Sequence, residues 1–147
     1  MSTDVRRSKW EIAAILAGRL IFAAVFIIAI SFKLADIGAT ADYIATAGFP
    51  AAPVLAWLAA VFELAIIVCF LTGAFFSEGA LLAAAYVLFL AFAFHGPAHW
   101  AGNQAEFGFF VDHFTFVAGL LFAAVHGPGG VWALKLGRTR VSQMPGP

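Results

Sequence analysis

Four stretches of this chain, at about residues 12–34, 53–72, 75–94 and 109–125, are apolar for so long that a helix crossing a bilayer is the structure that accommodates them. A hydrocarbon core about 30 Å thick takes roughly 20 residues of α-helix, and lipid offers no partner to an open backbone N–H or C=O. Composition agrees: 63% of the residues are hydrophobic and 11% charged, with a mean hydropathy of +0.97, values at which a water-soluble domain of this size would aggregate. The expectation is one all-α integral membrane domain over residues 1–147, a four-helix bundle with short basic tails at 1–11 and 135–147. The first run is longer than a secretory h-region and no small-residue cleavage pattern follows it, so it is read as a retained span.

The segments between the runs read as connections. "ADIGATADYIATAGFPAAP" holds two acids, glycines and prolines, "TGAFFSEG" reads as a tight turn, and "HGPAHWAGNQAEFG" is polar and glycine-rich. Six of the eight Lys and Arg residues flank the spans: Arg6, Arg7 and Lys9 before the first, Lys135, Arg138 and Arg140 after the fourth. Positive charge stays on the cytoplasmic side, which places both termini there. Trp10 and Trp132 then fall at the inner interface and Trp57 and Trp100 near the outer one, where indole rings prefer to lie. Stretches such as "AAILAG", "LLAAAY" and "VAGLLFAA" let helices approach closely and favour a compact bundle.

Some chemistries are excluded early. Cys69 is the single cysteine, so the chain alone builds no disulfide, CxxC pair or thiolate metal cage, and redox equivalents must come from elsewhere. The formal net charge is zero and the basic residues sit in terminal clusters suited to lipid headgroups, which argues against nucleic acid.

Ionisable residues inside the spans are the informative ones, because they are costly there and seek partners or water. Arg19 lies roughly 12 Å from the inner end of the first span and Glu63 roughly 15 Å from the outer end of the second, near one level in a core of about 30 Å. A buried Arg19–Glu63 ion pair is therefore expected, either as a structural clamp or with Glu63 as a proton-carrying or ligand-binding carboxylate. A second group gathers at the outer end: Lys33, His95, His99, Glu106, Asp112 and His113. It reads in three ways, as solvated loop ends, as a quinone or small-molecule pocket, or as a metal site, and no metal ligand set is assigned. His126, ahead of "GPGGVWAL", reads as a helix stop.

The order of these features, from about Arg19 to Leu134, resembles the DoxX family of small four-span membrane proteins. An arginine opens "GRLIFAAVFI", a lysine closes the span in "SFKLAD", "TAGFP" leads to "FELAIIVCFLTG", a histidine ends the third span, and "GPGGVWAL" resembles the family's glycine-rich tail. The resemblance implies that Arg19, Lys33, Glu63 and His95 occupy the family's polar positions, with Asp112 in the corresponding part of the fourth span. It also implies a role beside membrane oxidoreductases. The composition and the retained first span point to a multi-pass protein of a bacterial inner membrane, and the resemblance points to an accessory subunit of a quinone-linked complex. The chain would carry no built-in cofactor or self-contained catalytic site; Lys33, His95, Asp112 and His113 would form a pocket for a bound quinone or its protons. Its partners would be the bilayer, other membrane or redox subunits, and a second copy in a homo-oligomer. Two other functions stay open: a purely structural or assembly subunit, and a small-molecule or proton transporter.

Overall fold

The computed structural model describes residues 8–134 and 136–137, and every regular element among them is helical. The basic tail residues Arg6, Arg7, Lys135, Arg138 and Arg140 lie outside the described residues. Five helices follow one another: α1 (Lys9–Ala35), α2 (Ile37–Thr46), α3 (Ala52–Thr72), α4 (Phe76–His95) and α5 (Gln104–His126), with a short 3₁₀ turn at Pro97–His99. Of these, α1, α3, α4 and α5 are long and apolar enough to cross a membrane. The protein is an all-α, multi-pass membrane protein.

Local chemistry sets the helix ends. Ser8 and Glu11 form a reciprocal capping box, in which the Ser8 hydroxyl accepts from the Glu11 amide at 3.4 Å and the Glu11 carboxylate accepts from the Ser8 amide at 2.6 Å. Asp36 breaks the chain between α1 and α2 and caps the second helix by accepting from the Ala39 amide at 2.8 Å. Gly73 ends α3 in the left-handed region, at φ 73°. A side chain there would also collide with Ala133, whose Cβ lies 2.8 Å from where a Gly73 Cβ would stand.

Two departures from the sequence reading concern connections. The segment before the second span, expected as a loop, contains α2, because Ala41 and Ile44 give it a buried face that packs against Ala52 and Ala56 of α3. The fourth span begins at Gln104, not near residue 109, its first turn carrying polar residues into the helix.

The helices pack as two close pairs, α1 with α3 and α4 with α5, and α2 lies along α3. The pairs are joined by an apolar core containing Phe26, Phe70, Phe76, Ala83 and Leu120, with Phe22 and Phe116 packed against it. Gly79 permits close approach of α3 and α4, since a Cβ there would stand 2.9 Å from that of Cys69. Large apolar side chains such as Ile21, Val61, Phe92 and Phe122 point outward, as suits a surface solvated by lipid.

Candidate functional site: a polar-floored cavity

Antiparallel packing of α1 on α3 sets the polar partners. Phe26 meets Phe70 with ring centres 5.9 Å apart, and seven residues further along each helix Lys33 meets Glu63, Nζ to Oε1, at 2.9 Å. The same register carried seven residues back from Phe26 puts Arg19 opposite Ser77, beyond the end of α3 at Thr72. Arg19 therefore cannot reach Glu63, and the expected ion pair between them is replaced by Lys33–Glu63. The two residues miss each other because the spans are not flush: α1 is shifted along α3 and extends well past its end.

Arg19 instead holds the segment after α5. Its side chain is buried at 2% exposure, and Nη1 and Nη2 donate to the carbonyls of Pro128 (3.0 Å) and Trp132 (3.1 Å). That segment also docks through the Leu134 amide on the Thr72 carbonyl (2.8 Å) and the Phe75 amide on the Leu136 carbonyl (2.7 Å). Trp132 adopts φ 49°, a strained setting for a bulky residue, and its carbonyl is the one Nη2 holds.

Between the pairs lies a cavity of about 770 Å³, lined by residues of all five helices. Its walls are mostly apolar and aromatic, with Phe32, Phe49, Phe62, Phe89 and Phe94 among them. Two sets of polar groups interrupt them. At the floor are Lys33 and Tyr86, and behind them Glu63, 1% exposed, whose Oε1 takes both the Lys33 ammonium and the Tyr86 hydroxyl, the latter at 2.9 Å. Glu63 Oε2 is buried without a hydrogen-bond partner. Because the Tyr86 proton goes to Glu63, the floor offers any occupant the lone pairs of Tyr86 and the remaining N–H groups of Lys33.

The second set is at the opposite end. His95 Nδ1 lies 2.6 Å from Glu106 Oε2, its ring centre is 5.0 Å from that of His113, and the Trp100 indole N–H fixes its backbone by donating to the His95 carbonyl at 2.7 Å. His113 Nδ1 donates to the Phe109 carbonyl at 2.7 Å, which fixes the ring on α5. Over this end lies α2, where Tyr43 stacks on Phe94 at 5.0 Å. Burial first, and the Glu106 carboxylate second, hold the Tyr43 phenol above its usual range. Tyr86 and His95 are nine residues apart on α4, about 13 Å, so floor and rim are separate polar stations.

Lys33, His95 and His113 thus line one cavity, as three members of the expected pocket. Asp112 is exposed and absent from the lining, because it precedes His113 on α5 and points about 100° away. His99 is exposed, and His126 donates to the Phe122 carbonyl at 3.0 Å within its own helix. Among the described residues no three His, Cys, Asp or Glu side chains converge to hold a metal ion. Sequence reasoning missed Tyr86, Asp36 and Tyr43. For Tyr86 a signal existed: it is the one tyrosine within the four apolar runs, and a buried phenol needs a partner.

Comparison with known proteins gives one family match. The model of the family described as DoxX matches residues 14–96, more than half the chain. The match covers Arg19, Lys33, Glu63, Tyr86 and His95 and ends before α5, so Asp112, His113 and the "GPGGVWAL" segment lie outside it. No curated protein and no solved structure matches the chain.

Proposed function

Since the chain belongs to the DoxX family of small multi-span membrane proteins, we propose that it is a membrane subunit of a quinone-linked redox complex and that the cavity is its quinone site. The observation that carries this reading is the pairing of an aromatic-walled cavity of about 770 Å³ with proton-bearing groups at its floor. That volume is within the roughly 300–1,000 Å³ typical of small-molecule sites. A flat ring fits between phenylalanine walls, a ring carbonyl finds a donor in Lys33, and the hydroxyl of a reduced ring finds an acceptor in Tyr86.

A bound quinone supplies two-electron, two-proton chemistry that no side chain of this protein can. The protein's own part is to orient the ring and hold protons beside it. Glu63 anchors Lys33 and Tyr86 in place, and its second oxygen can take up a proton without breaking either contact. His95, paired with Glu106, stands toward the other end, where its two ring nitrogens can accept a proton on one side and donate it on the other. Electrons would come from a partner subunit, since the chain has one cysteine and no cofactor-binding motif. In this reading the Arg19 end of the bundle faces the cytoplasm of a bacterial cell and the His95 end faces outward, following the positive charge of the tails.

Transport is supported less well. On the Arg19 side of the Lys33–Glu63 pair, Phe22, Phe26, Phe70, Phe76 and Phe116 close the bundle, so the cavity ends at its floor. The test is a calorimetric titration of the chain in nanodiscs with a short-chain benzoquinone. Saturable binding at one site per chain is expected, weakened at least about tenfold by Lys33→Met, the equivalent of 1.4 kcal/mol. Non-saturable uptake equal to that of empty nanodiscs would refute the reading.

A further inference from the structure

The two flanks of the cavity are packed differently. Between α3 and α4, Phe62 lies against Tyr86 at 4.9 Å, and Phe49 packs on Phe89 at 5.7 Å and on Phe94 at 6.2 Å. Leu58 and Phe89 show an outer face there, and Phe49, from the connection between α2 and α3, lies over α4 at Phe89 and Phe94.

The seam between α1 and α5 differs. Among the described residues its ring contacts are confined to Phe22, Phe26 and Phe116, and Gly119 sits against Phe22 at the same level. Beyond those rings α1 presents Ala29, Phe32 and Lys33 to the cavity, while α5 presents His113 alone. Phe32 lines the cavity and is also 74% exposed, so it stands on both surfaces and marks a mouth. By the α1–α3 register Phe32 is level with Leu64, twelve residues from the start of α3 at Ala52 and mid-span. A mouth at that depth opens into hydrocarbon.

We propose that the cavity's ligand enters from the bilayer through the α1–α5 seam, that its hydrocarbon tail lies there against Phe32, and that the small size of Ala29 keeps the seam passable. This rests on the cavity being the quinone site proposed above, and adds that the ligand is a ring with a lipid-soluble chain. Ala29 is one helical turn from both Phe26 and Lys33, between the closed part of the seam and the polar floor, so bulk there would fill the passage without touching Glu63.

The experiment is photolabelling of the full chain in nanodiscs with a benzoquinone bearing one isoprenoid unit and a terminal diazirine, mapped by peptide mass spectrometry. An excess of tail-less benzoquinone identifies labelling that is specific to the cavity. Competed label on residues 25–32 and 113–120 is expected, with Ala29→Trp reducing it at least about tenfold. Competed label on α2 or around Leu58 and Phe89, or undiminished labelling of a folded Ala29→Trp variant, would overturn the route and leave the cavity as a quinone site. Labelling that tail-less quinone does not compete would overturn both. Should the variant fail to fold, the wild-type map decides the route unaided.

Discussion

A carboxylate held in the middle of a membrane span is costly to keep ionised unless a cation and hydrogen bonds reach it, and Glu63 collects both on one oxygen. Lys33 suits this role because its long stem lets the ammonium reach inward while keeping a side exposed to the cavity, at 22% side-chain exposure. The pairing makes a distinctive prediction for a double-mutant cycle. Lys33→Met and Glu63→Gln, measured by unfolding in mild detergent, should show a coupling of at least about 1 kcal/mol, as groups in direct contact do. Arg19→Met with Glu63→Gln should add to within about 0.5 kcal/mol, as separated sites do, and strong coupling there would restore the discarded pair. The identities of these buried residues were legible in the sequence, since a charge within an apolar run must be partnered. Their partners were not, because pairing depends on how far one helix slides along another, and no residue within a single span encodes that offset.

Among the elements, α2 and the segment after α5 decide the shape of the two ends. The α2 helix is a modest structure: ten residues, started by Asp36 and held by a small apolar face on α3. Asp36→Ala should cost about 1 kcal/mol, the usual worth of such a cap, and should speed amide exchange across residues 39–46 before any change in α3. At the opposite end Arg19 satisfies two carbonyls of a backbone that includes a left-handed tryptophan. Arg19→Met should lower stability by about 2–4 kcal/mol, by stranding those acceptors, and raise exchange at the Leu134 amide. Exchange unchanged at Leu134 would mean that the segment docks without the arginine. Length and apolarity made the four spans readable. α2 was not, because its glycine and alanines look like loop until the face of α3 supplies what Ala41 and Ile44 pack against.

At the scale of the molecule, two tight pairs meet through phenylalanines near the α3–α4 turn and enclose a cavity toward the other end. The sequence placed Lys33, His95 and His113 together because bundle ends converge, and the same logic wrongly included Asp112, whose position on α5 turns it outward. It could not show the cavity, since a void is a property of how pairs diverge and leaves no mark in composition. The family match and the spans establish a DoxX-family membrane protein, and the cavity gives the proposed redox role a place to test. The most direct measurement is the amount of quinone extracted per chain after gentle nanodisc purification from the native membrane, for the wild type and for a Lys33→Met, Tyr86→Phe double variant that still folds. Quinone approaching one per chain is expected in the wild type, with a clear loss in the variant. Quinone no higher than that carried by the surrounding lipid, or equal retention by both proteins, would contradict the quinone site.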